Sequence, residues 1–134
     1  MKFTYPKNER LKSKTTIGLL FSEGKSASKY PLRLVYRQAE ENSEEKIKIG
    51  VSVSKKYFKK AVDRNYFKRV LRETYRLNKH LLLDNIQHPY SLMFFYQSKD
   101  RLSYEEINTK TIQLFEKFLS QVNKIDDSEN KTEA

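Results

Sequence analysis

The sequence predicts an α+β fold, a single-domain α-β sandwich whose small mixed sheet carries an N-terminal helix, a central basic helix and a C-terminal helix. A length of 134 residues suits one domain. Three segments show the alternation or the compact apolar run of strands, and three others repeat apolar residues at helical spacing. We expect this domain to span residues 1–123, followed by a disordered polar tail at 124–134, which has too little apolar content to fold.

The first helix is predicted over about 13–23. Serine and threonine near its start can cap the N-terminus, and Gly24 suits the position just past the C-terminus. Ile17, Leu20 and Phe21 form a narrow apolar stripe, so we expect this helix to pack on a larger element.

Two alternating segments, 31–38 and 47–54, predict strands, and the polar loop between them predicts an antiparallel hairpin. In the second segment the apolar positions alternate with small residues, among them Gly50, Ser52 and Ser54. A strand face of small residues leaves room for a ligand or another backbone to approach closely.

Most of the excess positive charge lies in residues 55–80. They hold ten Lys or Arg and two acids, a net +8 out of the chain's +10. A helix predicted over 62–82 places apolar residues on one side and polar ones on the other. The polar side comprises Asn65, Lys68, Arg69, Arg72, Arg76 and Lys79. Like charges at this spacing repel, which favours binding of a polyanion over a solvated helix face or a membrane-surface helix.

The last two elements are a buried strand and a helix. Residues 89–97 form the most apolar run, rich in aromatic residues. Ser103 and Glu106 have the spacing of a capping box, and apolar residues recur at helical spacing from Ile107 to Val122.

No catalytic side chains are indicated. The only histidines, His80 and His88, lie at the end of the basic helix and in the following loop, and phosphate-loop and nucleophile motifs are absent. The chain has no cysteine, so it offers no thiolate metal site. It also has no apolar run of membrane-spanning length and no secretory signal. We expect a cytoplasmic, monomeric protein without a membrane partner and with no metal site of its own.

The stretch AVDRNYFKRVLRE, residues 61–73, resembles the Arg-Asn-Arg signature of the bacterial ribonuclease P protein component. The matching positions are Ala61, Val62, Arg64, Asn65, Lys68, Arg69, Arg72 and Glu73. Residues 50–56 resemble the family's strand before this region, and residues 10–25 resemble its N-terminal helix. The order of elements is similar as well.

The resemblance implies a fold like that of the second domain of ribosomal protein S5. It also implies a non-catalytic protein subunit of an endonuclease, which binds the catalytic RNA and the 5′ leader of precursor tRNA during tRNA processing. In that family the RNA carries the active site and its Mg²⁺ ions. The alternative is a basic RNA- or DNA-binding module of another ribonucleoprotein.

The resemblance also implies two sets of binding residues. Contacts with the catalytic RNA are expected from Lys55, Lys56, Lys60, Arg64, Asn65, Lys68, Arg69, Arg72 and Arg76. The cleft for the leader is expected to be lined by Ile17, Phe21, Tyr36, Ser52 and Ser54. The sequence leaves open whether Tyr57 and Phe58, in the loop before the basic helix, stack on RNA or pack in the core.

Overall fold

The structure is a computed structural model that describes the backbone of residues 14–41 and 45–133 and the side chains of residues 17–41 and 45–123. Its elements are α1 (Lys14–Glu23), β1 (Lys25–Lys29), β2 (Leu32–Gln38), β3 (Ile47–Val53), α2 (Ala61–Leu83), β4 (Tyr90–Tyr96) and α3 (Tyr104–Glu133). The predicted α+β class is confirmed. The side chains expected to cap α1, and the first residues that resemble the family's helix, lie outside the described residues.

The strands form one mixed sheet in the order β1-β2-β4-β3. β4 pairs antiparallel with β2 and parallel with β3. The predicted hairpin of β2 and β3 is therefore wrong, because the most apolar strand lies between them and is covered on both faces. The hairpin that does form joins β1 to β2 through a cis Tyr30–Pro31 peptide. β1 escaped prediction because Ala27 is the one apolar residue in its sequence, KSASK.

The helices cover the two faces of the sheet unequally. α2 and α3 pack on one face and enclose the larger core, which includes Leu34, Phe67, Phe94 and Phe115. Full burial of one such side chain contributes about 1.5–3 kcal/mol. α1 packs on the other face against β2 and β4, over a smaller core centred on Leu20 and Val35. The predicted capping box starts α3, since Glu106 N donates to Ser103 Oγ at 3.2 Å and Ser103 N donates to Glu106 Oε1 at 3.3 Å.

The buried side of α2 is wider than the sequence predicts. Its members are Phe67, Val70, Leu71, Thr74, Tyr75, Asn78, Lys79 and Leu82. Lys79, expected on the polar side, is only 4% exposed. The reason is a second neighbour: α3 packs beside α2, and Asn78 Nδ2 donates to Asn108 Oδ1 of α3 at 2.8 Å. A helix that contacts both a sheet and a helix buries more than one narrow stripe.

The backbone of α3 extends further along the chain than the sequence predicts. The helix continues to Glu133, where a tail was expected from 124. Ile125 is the one residue with a large apolar side chain in that stretch, and the prediction relied on apolar content alone. The side chains of 124–134 lie outside the described residues, so the boundary of the packed domain at 123 stays a prediction.

Gly24 joins α1 to β1 where two chain segments approach closely. A Cβ placed there would clash with the Leu20 carbonyl oxygen and lie 2.9 Å from Val35 Cγ1. We expect Gly24→Ala to lower the free energy of unfolding by about 2 kcal/mol, because the backbone must shift. Urea unfolding followed by circular dichroism measures this loss.

Gly18, inside α1, provides the matched control. A Cβ at this position meets nothing within 4 Å. Gly18→Ala should therefore stabilise the protein by roughly 0.5–1 kcal/mol, the helix-propensity difference between the two residues. Equal effects of the two substitutions would contradict the packing described for Gly24.

Candidate nucleic-acid interface

The first candidate surface is the cationic face of α2, defined by Asn65, Lys68, Arg69 and Arg72. Asn65, Arg69 and Arg72 are exposed, and Lys68 is half-buried. Phe67, Val70 and Leu71 hold the opposite side of this turn in the core. The predicted arrangement of one packed and one cationic side is confirmed for these positions.

Arg76 is on the same helix but is already neutralised. Its guanidinium pairs with Glu73 one turn earlier, with Nε 3.2 Å from Oε2 and a second, shorter contact between Nη2 and Oε1. Hydrogen bonding from Arg76 holds the pKa of Glu73 below its ordinary value. The ion pair makes Arg76 a weaker candidate for binding an anion than Arg69 or Arg72.

The second part of the interface is the approach loop, residues 54–60, between β3 and α2. Its start is a tight turn in which the backbone N–H groups of Tyr57 and Phe58 both donate to Ser54 O at 3.2 Å. Phe58 is 6% exposed and stacks on Phe67 with 4.6 Å between ring centroids. Phe58 is therefore a core residue, and the half-buried Tyr57 packs against the same core. The loop's lysines, which are Lys55, Lys56, Lys59 and Lys60, are all exposed.

Two arginines fix this loop against α2. Arg64 Nη1 donates to the carbonyl oxygens of Phe58 at 3.0 Å and Lys59 at 2.7 Å. Its Nη1 therefore holds the loop, and the predicted contact of Arg64 with RNA stays a prediction. Arg101, from the β4–α3 connection, places Nη1 3.2 Å from Asp63 Oδ1. Its guanidinium lies 5.7 Å from the ring of Phe58 and 5.5 Å from that of Phe67, and no sequence motif singled it out.

The second candidate surface lies on the opposite face of the sheet, beside α1, where the leader cleft was expected. Phe21 is 62% exposed, and its ring lies 6.0 Å from that of Phe95 on β4. Ser52 on β3 is the register partner of Phe95 and is half-buried. Ile17 packs against the small core beneath α1. Phe95, which the sequence placed in a strand without a role, thus lies between Phe21 and Ser52, and the binding of a leader by these residues stays a prediction.

Ser54 lies just past the end of β3, outside the row that holds Ser52. It is exposed, and its Oγ accepts a hydrogen bond from Lys56 N at 3.1 Å. It belongs to the turn that starts the approach loop.

Tyr36 does not line the cleft. It is 5% exposed on the α3 side of the sheet, where its hydroxyl donates to Gln121 Oε1 at 2.7 Å. Its ring is edge-on to Phe118 with 4.8 Å between centroids, and burial raises the pKa of its hydroxyl. The prediction is wrong because side chains alternate along β2, so Val35 and not Tyr36 lies beneath α1.

Metal-binding clusters and membrane-spanning helices are absent from the described part of the chain. Within it, no three His, Asp or Glu side chains cluster as a metal site would require. None of the helices in this part is both long and apolar enough to cross a membrane. His88 forms an exposed pair with Glu41, with 2.6 Å between Nδ1 and Oε1.

Fold and surfaces together define a small basic α+β protein with a cationic helix on one face of its sheet and an exposed aromatic surface, formed by Phe21 and Phe95, on the other. Residues 5–119 match the model of the family described as Ribonuclease P. The chain belongs to the ribonuclease P family, as the resemblance at 61–73 indicated.

Individual relatives agree with this assignment. An 85-residue segment is 49% identical to the ribonuclease P protein component of Porphyromonas gingivalis and covers 63% of this chain and 62% of that relative. The chain is 32% identical over 115 residues to the component from Dictyoglomus thermophilum, with 86% and 92% covered. The solved RNase P protein from Thermotoga maritima superposes with a TM-score of 0.65 at 27% identity, covering 80% of this chain and 94% of that one. The alignment with the Porphyromonas relative thus spans less than two thirds of its length.

Proposed function

We propose that this chain is the protein subunit of ribonuclease P, which binds the catalytic RNA and the 5′ leader of precursor tRNA and assists endonucleolytic 5′ maturation. The observation that carries the proposal is the presence of two separate surfaces suited to RNA on opposite faces of one sheet. Membership of the ribonuclease P family supports the same assignment.

The cationic face of α2 and the approach loop would dock on the catalytic RNA. Arg69 and Arg72 are exposed and can each bind two phosphate oxygens with a planar guanidinium. Asn65 offers a donor and an acceptor to a base edge or a 2′-hydroxyl. Lys55, Lys56 and Lys60 extend this surface past the N-terminus of α2, whose partial positive charge also favours phosphate. Counterion release would supply most of the affinity.

The aromatic cleft would hold the single-stranded leader. An exposed ring such as Phe21 can stack on any base, which contributes about 1–3 kcal/mol per base. The short side chain of Ser52, the register partner of Phe95, would leave room for the leader to approach β3 beside the aromatic rings. A mature tRNA lacks the leader, so this cleft would favour the precursor.

The chemical step would take place on the RNA. Magnesium ions, held mainly by the RNA, would activate the attacking water. The protein would contribute binding and positioning, through charge neutralisation on one face and leader contact on the other.

We further propose that the protein alone is monomeric and acts in the cytoplasm, where tRNA precursors are processed. Light scattering of the purified chain tests whether it is monomeric.

Mixing experiments test the division of labour. We expect the protein alone, with precursor tRNA and Mg²⁺, to give no cleavage, because the described residues hold no cluster of three or more His, Asp or Glu side chains that could bind a metal ion. Addition of the ribonuclease P RNA should give a product that ends at the mature 5′ terminus, identified by primer extension.

An unrelated RNA of equal length serves as the control for non-specific charge effects. Cleavage by the protein alone would contradict the proposal. The proposal would also be contradicted if the protein failed to stimulate cleavage by the ribonuclease P RNA at low magnesium. That result would favour the alternative, a module from another ribonucleoprotein.

A further inference from the structure

Two arginines of β2 project to the α1 side of the sheet, and their surroundings differ. Val35 is buried there against Leu20, so the alternation of the strand places Arg33 and Arg37 on the same side. Arg37 Nε lies 3.3 Å from Glu23 Oε2 of α1. Arg33 is exposed, and within the described ranges it forms no hydrogen bond or ion pair. Of these two arginines, one is therefore neutralised, and the other is free to bind an anion.

The register places the free cation next to the cleft. Arg33 is the partner of Phe95 on β4, and Phe95 is the partner of Ser52 on β3. These three residues form a row across the sheet on the α1 side. Neighbouring strands are about 5 Å apart, so the backbone of Arg33 lies roughly one strand spacing from Phe95 and two from Ser52. The ring of Phe21 lies against Phe95, in the middle of this row.

An aromatic platform with a cation beside it is the usual composition of a site for single-stranded nucleic acid. The ring stacks on a base, and the cation binds the backbone phosphate. A guanidinium suits that phosphate because its N–H groups can pair with two oxygens, and the charge strengthens each hydrogen bond. Arg33 meets these requirements, whereas Arg37 is occupied by a carboxylate.

We propose that Arg33 binds a backbone phosphate of the leader, next to the nucleotide whose base stacks on Phe21, and so sets how many leader nucleotides the protein contacts. The inference depends on the proposed function, since it extends the leader cleft towards β1. One strand spacing separates Arg33 from Phe95, which assigns the phosphate to a nucleotide adjacent to the stacked base.

The test uses the complete protein assembled with the ribonuclease P RNA and precursor tRNAs whose leaders are lengthened one nucleotide at a time. For leaders of several nucleotides, Arg33→Gln should weaken precursor binding about five- to tenfold and lower the log–log salt slope by about 0.7, the value for one phosphate contact on a single strand. Mature tRNA, and a precursor with a one-nucleotide leader, should bind as they do to the wild type.

Arg37→Gln is the matched control, because it removes the same charge from the same strand and the same side. It should leave precursor affinity and salt slope unchanged. Arg33→Lys keeps the charge, so it should retain the slope while losing part of the affinity. Urea unfolding of all three variants confirms that they fold.

The outcomes separate this inference from the proposed function. If Arg33→Gln and Arg37→Gln weaken binding equally, or if Arg33→Gln has no effect while Phe21→Ala reduces binding of the precursor selectively, the assignment of Arg33 is overturned and the leader cleft stands. If neither Phe21→Ala nor Arg33→Gln distinguishes precursor from mature tRNA, the leader cleft itself is overturned.

Discussion

Replacing both Arg69 and Arg72 by alanine should weaken binding of the ribonuclease P RNA by roughly 10- to 100-fold and lower the log–log salt slope by about 2. Both guanidinium groups are exposed on the cationic face of α2, and neither lies in the core. Each lost phosphate contact leaves about one more counterion on the RNA. Titration of labelled RNA at four salt concentrations gives both quantities.

The control for this experiment removes the same amount of positive charge from a different part of the surface. Lys25 and Lys29 are exposed on β1, so their double replacement by alanine also lowers the net charge from +10 to +8. We expect it to change the affinity and the slope far less than the double arginine variant. Equal effects would show that RNA responds to net charge and that the cationic face has no special role. Because alanine favours helix, the arginine variant should fold at least as stably as the wild type.

Replacing Phe21 by alanine should weaken binding of precursor tRNA roughly tenfold and leave mature tRNA unaffected. The reason is the loss of one base stack, which contributes about 1–3 kcal/mol. The ring is largely exposed, so the substitution removes little from the core. Competition between precursor and mature tRNA for the assembled holoenzyme measures the ratio directly.

An exposed ring elsewhere provides the comparison. Tyr66 on α2 is 43% exposed and lies on the opposite face of the protein from the cleft. Tyr66→Ala should affect precursor and mature tRNA alike, whatever its effect on RNA-subunit binding. If Phe21→Ala also weakened both tRNAs equally, Phe21 would be a structural residue of α1. Its contact with Phe95 would then explain the loss.

The sequence predicted the elements better than their arrangement. Periodicity located α1, β2, β3, α2, β4 and the start of α3 within a few residues, because each presents a regular apolar pattern to a core. Pairing is a property of the whole sheet, and no local pattern indicated that β4 separates β2 from β3. β1 has a single inward apolar residue, Ala27, which is too little for a periodic signal.

The binding residues could be predicted from the sequence where their exposure follows from the geometry of a single helix. Lys68, Arg69 and Arg72 follow from helical spacing, and the structure places them as expected. Arg64 and Arg101 could not be assigned in the same way, because their partners are loop carbonyls, an aspartate and aromatic rings brought together by tertiary packing. The wrong prediction for Tyr36 has another cause. The alternation of β2 already places Tyr36 and Val35 on opposite sides of the sheet, and this was not applied to the cleft.

The central position of β4 has a consequence for how the chain assembles during synthesis. The β1–β2 hairpin is local and can form early, but β2 and β3 both receive their main partner from residues 90–96, after the whole of α2 has been made. Contacts between segments so distant in sequence slow folding, because a long loop must close first. On the ribosome, the nascent chain would therefore expose the apolar sides of two strands until Tyr96 emerges, and the cleft and the approach loop would take shape together in one late step.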